Sequence, residues 1–365
     1  IGFPTTMNKC AVLVVAPLLT CLVVAVEAFV QTAPPSIANN RDATATLVGT
    51  NTRLGAGAFS DTRTSQTKRA RELMRSLIEE GKCYVTDSGA QKFANVCAPN
   101  VVIADCFFPQ PFNGKSQALQ YMQQRVEQRK GKGDVRIDKI SDGDLACGFA
   151  WTWVCGEEEG LRGTTFVELN ESGEIQFLQE IPEPIYKPGD LTKQLLEAIT
   201  QGAQPRTPVP YEKRRPTKAC DVAKYLFEDL NKGPPVEATD ELMTFFDDSV
   251  IYRDFNFENV LQGPAEVRQF VEDFSFDGIE FRPTRYDDGD VASCFTWEVA
   301  IDDAPDTIKG ISFYELDPET RKIVYVRDVP ESAIKPPILG TWARNLRPGL
   351  GVFQSVPKGS RPGGM

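Results

Sequence analysis

Val101-Val102-Ile103-Ala104-Asp105 and Val250-Ile251-Tyr252-Arg253-Asp254 are one short strand met twice, 149 residues apart. The same offset carries Gly114 onto Gly263. At 146 residues, Asp142-Gly143-Asp144 falls on Asp288-Gly289-Asp290, and Phe149-Ala150-Trp151 on Phe295-Thr296-Trp297. At 147, Gly163, Phe166, Glu168 and Leu169 fall on Gly310, Phe313, Glu315 and Leu316. At 148, Ile175, Pro182, Glu183, Lys187 and Pro188 fall on Ile323, Pro330, Glu331, Lys335 and Pro336. The offset drifts by only a few residues, as loop insertions and deletions require. The body is one unit written twice.

Each copy repeats one order of elements. A helix is predicted over 71–80, with Leu73, Met74, Leu77 and Ile78 at helical spacing and Gly81 as its stop. Its counterpart is 221–232, with Val222, Leu226 and Leu230 on one face and Gly233 after it. A short segment and a strand then end at Asp105 or Asp254. Gly114 or Gly263 precedes a helix, over 116–128 or 265–274. Three strands follow, at 145–155, 163–170 and 175–181, or at 291–301, 309–316 and 322–329. Asn170–Gly173 and Asp317–Thr320 fit tight hairpins. The fold class is α+β, as two tandem homologous units of helices packed on a curved antiparallel sheet. The units span 70–190 and 217–336, with a helix and Pro-rich linker at 191–216 between them. Lys213-Arg214-Arg215 in that linker reads as a solvated turn.

Strand-Asp, Gly, helix, a Gly-Asp-x-Ala turn, a Phe-x-Trp strand and two more strands are similar to the nuclear transport factor 2-like superfamily, which includes SnoaL-like polyketide cyclases. That resemblance implies a cone-like cavity between sheet and helices. It also implies isomerase, dehydratase, cyclase or epoxide hydrolase chemistry on Asp, His, Tyr or Arg within the cone. The residues it points to are Asp105 and Glu180 in the first copy. In the second they are Tyr252, Asp254, Arg285 and Asp328. A buried carboxylate with a raised pKa can serve there as a general base. The competing reading has Asp105 and Asp254 capping turns or pairing with Arg at strand ends. Arg253 and Asp254 are adjacent and point to opposite strand faces. Trp151 and Trp297 read as core. Phe107, Phe108, Phe255 and Phe257 close a cone mouth or form an interface.

Composition narrows the chemistry further. The chain has 365 residues, enough for two cores. Its 51 acidic and 40 basic residues give a net charge of −11, which argues against nucleic acid as a partner. There is no histidine, so no His-based triad, metal site or general base exists. The nine cysteines show no CxxC pair. Those beyond the leader read as reduced core residues. No phosphate loop, dinucleotide fingerprint or metal constellation is present, and no cofactor is expected.

The ends of the chain suggest an address and an assembly device. Met7 reads as the start, with Ile1–Thr6 as an upstream extension. Residues 1–28 read as a signal peptide, with Val26-Glu27-Ala28 at its cleavage site. Residues 29–68 form a disordered, transit-like segment holding eleven Ser or Thr and two acids. The Phe29 junction resembles the bipartite plastid leaders of diatoms and related algae, which implies the plastid stroma; plain secretion is the alternative. No membrane span is expected after processing. Residues 337–365 form an extended docking tail, with Trp342, Leu346, Leu350 and Phe353 as interface residues. Leader, duplication and tail together resemble the pyrenoid shell proteins of diatoms. The resemblance implies a structural, self-assembling protein that supports carbon dioxide fixation, with itself and a Rubisco-containing matrix as partners. The alternative is a small-molecule-binding protein or an isomerase, dehydratase or cyclase of the SnoaL-like type. The sequence leans away from an enzyme without deciding the point.

Overall fold

The computed structural model describes residues 69–331, other than 109, 130–131, 185–186, 201–202, 204 and 302–306. The leader and the tail, with Trp342, Leu346, Leu350 and Phe353, lie outside the described residues. The first unit opens with α1 (Ala70–Arg75), which runs on through a wider turn at Ser76–Glu80. Then come α2 (Asp87–Asn95), β1 (Cys97–Asp105), β2 (Phe112–Asn113), α3 (Gly114–Arg129), β3 (Asp134–Ile140), β4 (Ala146–Cys155), β5 (Glu158–Leu169) and β6 (Ile175–Pro182). The linker carries α4 (Asp190–Ile199). The second unit repeats the series as α5 (Ala219–Lys224, extended to Lys232 by irregular turns), α6 (Pro235–Met243), β7 (Phe246–Asp254), β8 (Leu261–Gln262), α7 (Gly263–Asp273), β9 (Ile279–Tyr286), β10 (Ala292–Ile301), β11 (Ile308–Leu316) and β12 (Ile323–Pro330).

Two six-stranded sheets result, ordered β2-β1-β6-β5-β4-β3 and β8-β7-β12-β11-β10-β9. The strand order is identical in the two, as the duplication requires. Pairing is antiparallel except where β1 meets β6 and β7 meets β12, which run parallel. Besides the two-residue strand β2 or β8, the sequence reading lacked two elements per unit. One is the second helix, α2 or α6. The other is the outer strand, β3 or β9. The helix α2 hides behind turn-like residues, for Thr86 caps it by accepting from Gly89 N at 3.0 Å.

The middle strands β4, β5, β6, β10, β11 and β12 are buried on both faces over much of their length. Phe149, Trp151, Val167 and Leu178 pack under the first unit's helices. Tyr252, Phe295, Tyr314 and Val326 do so in the second unit. The opposite faces meet one another: Phe166 and Ile181 pack against Phe255, Cys294, Ile311, Phe313 and Val329. The two units therefore stand sheet against sheet. This explains the unbroken burial along Ala146–Thr152, which a one-faced strand would not show.

The Asp-Gly-Asp turns that betray the duplication clasp this interface. Asp142 accepts from the backbone N–H of Asp290, Val291 and Ala292 at 3.0–3.3 Å. Asp288 returns the arrangement, accepting from Asp144 and Leu145 at 2.9 Å and from Ala146 at 3.4 Å. A Cβ on Gly143 would stand 2.1 Å from Ala146 O, and one on Gly289 1.9 Å from Ala292 O, so only glycine fits between the aspartates. Lys213-Arg214-Arg215 is exposed, as a solvated turn requires, and each of its residues also makes an ion pair. Lys213 lies 3.4 Å from buried Glu241, Arg215 also pairs with Glu241, and Arg214 pairs with Asp229. These contacts pin the linker to the second unit.

Candidate functional site

In the first unit, Asp105 ends β1 and is the direct register partner of Glu180 on β6. Both side chains face the helices, and both are buried, at 3% and 0% exposure. Two adjacent buried carboxylates demand a counter-charge. Arg125 of α3 supplies it. Its Nη2 lies 3.2 Å from Asp105 Oδ2 and forms an ion pair with Glu180. Tyr121 OH donates to Asp105 Oδ2 at 3.2 Å and accepts from Arg125 Nη2 at 2.8 Å. Glu180 Oε2 accepts from Tyr84 OH at 3.3 Å and from Thr165 Oγ1 at 3.4 Å. One turn further along α3, the Arg129 guanidinium lies 4.7 Å over the Trp153 ring and 5.5 Å over Trp151. This interior is occupied by its own cations.

The second unit builds the same frame and leaves the cation out. Asp254 ends β7 and is the register partner of Asp328 on β12. They match Asp105 and Glu180 position for position. Tyr252 OH donates to Asp328. Asp254 Oδ1 accepts from Asn256 N at 2.7 Å, a turn cap that the first unit repeats from Phe107 N to Asp105. The offset of 149 puts Phe270 where the first unit has Tyr121, and Phe274 where it has Arg125. The helix α7 has 11 residues against 16 in α3, so it stops where the arginine-bearing turn would begin. Neither Asp254 nor Asp328 makes an ion pair among the described residues, and both are half-buried.

The electrostatic result is direct. Burial, and then the charge of Asp328, push the Asp254 carboxyl up to about 7. Burial pushes Asp328 up to about 6. The Tyr252 phenol is held well above its ordinary value by burial and by Asp328. Two carboxyl groups that exchange protons near neutral pH can act as acid and base, or take a cation between them. Beside them runs a file of half-buried rings. Phe270 lies 5.4 Å from Tyr252 and 4.7 Å from Phe274, while Phe257 touches both phenylalanines at 5.6–5.8 Å.

The structure thus brings Asp105 with Glu180, and Tyr252 with Asp254 and Asp328. It does not bring Arg285 to them. That residue points the other way, pairs with Glu168 of the first unit and lies 4.0 Å over Phe177. It belongs to the seam between the sheets. Phe255 also belongs to that seam, Phe108 packs on Phe112, and Phe107 is exposed. Trp151 and Trp297 are core residues, each donating to a hydroxyl on the neighbouring strand, Thr165 at 3.0 Å and Ser312 at 2.8 Å. Arg125 and Arg129 are the buried residues beside these carboxylates that sequence reasoning missed. The signal was there: Ala118, Tyr121, Met122, Arg125, Val126 and Arg129 follow helical spacing, so both arginines sit in the buried stripe. Two hollows of about 250 Å³ each open elsewhere. One lies beside Arg69, Arg75 and Asp144, the other at the seam between Arg162, Arg253 and Arg327.

No family model matches the chain, and no curated protein matches it. Among solved structures it is similar to a candidate ketosteroid isomerase from Kribbella flavida, at 19% identity and a TM-score of 0.27, over 32% of this chain and 81% of that one. It is similar to the epoxide hydrolase/cyclase-like enzyme SalBIII at 16% identity and a TM-score of 0.25, over 31% and 89%. A candidate SnoaL-like isomerase from Agrobacterium tumefaciens gives 16% identity and a TM-score of 0.27, over 31% and 96%.

Proposed function

We propose that the second unit carries a small-molecule site in which Asp254 and Asp328 exchange a proton with the bound molecule, while the first unit serves as its structural partner. One observation carries this reading. The same carboxylate pair is neutralised from within in one unit and left without a counter-charge in the other. A half-buried carboxyl pair with no internal counter-charge is costly to ionise, and sites of function are where such costs persist. The chemistry within reach is removal and return of a proton on carbon or oxygen, as in an isomerase, dehydratase or cyclase. A carrier that uses the pair only for binding has the same first requirement.

Carbon-detected NMR of the full chain labelled at the aspartate carboxyls tests it. Three aspartate carboxyl resonances should titrate between about pH 6 and 7, that of Asp287 at the seam among them, and those of Asp254 and Asp328 should vanish in the Asp254→Asn and Asp328→Asn variants. Titration of both near 4, the ordinary aspartate value, would remove the site.

A second reading is favoured by the filled first interior and by exposed Phe107, Leu145, Leu161 and Val236 on the surface. In it the chain is a self-assembling structural protein of the plastid stroma, a pyrenoid shell component with itself and a Rubisco-containing matrix as partners. Sedimentation of the purified chain and fluorescent tagging of the full-length protein test it. Sheets or tubes, and a signal at the pyrenoid rim, are the expected results. A stable monomer at high concentration would count against it.

A further inference from the structure

We infer that the second interior binds an organic cation, whose primary ammonium or guanidinium head lies between Asp254 and Asp328 as the Arg125 head lies between Asp105 and Glu180. This rests on the reading of the second interior as a small-molecule site and names what that site takes. The protein supplies its own precedent. At matched register positions, the first unit's carboxylates grip a guanidinium that α3 delivers from within. The second unit keeps the grip and ends its helix before the residue that would fill it.

Three further observations agree. Asp328 Oδ1 is out of contact with solvent and has no N–H donor; the only groups that reach this carboxyl among the described residues are the hydroxyls of Tyr252 and Ser312. The head must therefore carry N–H groups, which favours a primary ammonium or guanidinium over a quaternary one. The rings of Tyr252, Phe257, Phe270 and Phe274 line the approach, and aromatic faces attract cations and accept the apolar body behind the head. In the first unit the same preference is already expressed, for Arg125 lies 5.2 Å over the Tyr121 ring. Anions are disfavoured there by the two acids, and the net charge of −11 draws cations toward the whole chain.

The test is calorimetric titration of the full chain at pH 6.5 with three probes of one shape: phenethylammonium, 2-phenylethanol and phenylacetate. The ammonium should bind once per chain, at least tenfold more tightly than the alcohol, with phenylacetate silent. Binding should release protons, seen as a heat that changes with buffer. Asp328→Asn and Phe274→Arg should each weaken the ammonium at least tenfold. Carboxyl NMR of the unmodified chain provides a readout that needs no variant: the neutral-range titration should move to lower pH when phenethylammonium is added. Equal binding of alcohol and ammonium would overturn the cation and leave a small-molecule site. So would failure of the ammonium to bind, up to tens of millimolar, in a chain whose pair still titrates near neutrality. Failure of all three, with both carboxyls titrating near 4, would instead remove the site itself.

Discussion

The two interiors differ by one helical turn, and that turn decides what each can do. In the first unit α3 runs to Arg129 and brings Arg125 to two carboxylates. In the second, α7 stops at Asp273 and presents phenylalanine instead. The sheets beneath are alike strand for strand, and both tryptophans make the same bond to the next strand. Duplication therefore conserved the frame and let the contents diverge. An internal cation fills one interior. Its loss in the other leaves an acid pair that holds protons near neutral pH.

The contrast breaks most sharply at Arg125. Arg125→Leu leaves Asp105 and Glu180 facing each other without a counter-charge, and should cost about 3–5 kcal/mol. Urea denaturation of the full chain measures this. A loss below about 1 kcal/mol would show that the first interior does not depend on its cation.

The clasp between the units should be less costly to break, and its two arms should be unequal. Asp142→Ala removes bonds to half-buried N–H groups and should cost about 2–3 kcal/mol; Asp288→Ala, whose bonds are more exposed, about 1 kcal/mol. Equal losses would mean that the interface treats its halves alike.

Phe274→Arg should make the second interior resemble the first. A guanidinium within reach lowers a carboxylate by about 1–3 pKa units, so the neutral-range titration of the pair should disappear. Persistence of that titration in the carboxyl NMR spectrum would show that position 274 does not face the pair.

The smallest effect is on stability against pH. Asp254 and Asp328 have folded-state values raised to about 7 and about 6, above the unfolded value near 4. The folded chain then holds protons that the unfolded chain has released. Their contribution to stability is full below about pH 4 and is lost as pH rises through 6 to 7. Melting temperatures of wild type and an Asp254→Asn, Asp328→Asn double variant should therefore diverge across this range, by a few degrees. Asp287, which burial raises to about 7 at the seam, keeps part of the slope in both proteins.

Much of this was legible before any coordinates. The repeat offsets located both sheets, and the matched Asp105 and Asp254 ended the same strand twice. Glu180 and Asp328 were found as strand acids. Two classes of feature escaped. Asp87–Asn95 opens with Asp-Ser-Gly, which reads as a turn until the capping bond of Thr86 is seen. The outer strand Asp134–Ile140 alternates charges on a half-exposed edge and carries little apolar signal. Arg125 and Arg129 share the stripe of Ala118, Tyr121, Met122 and Val126, but long basic side chains usually reach for water, so their burial was not expected.

Sequence alone determined the duplication, the α+β class and the absence of histidine chemistry. Periodicity and residue counts are properties of the chain itself. The tertiary structure decided which acid meets which cation. Pairing of Asp105 with Glu180, or of Asp254 with Asp328, depends on the parallel strand register and on where a helix ends, over more than 70 residues of separation. Electrostatic energy follows distance and burial, and neither is written along the chain.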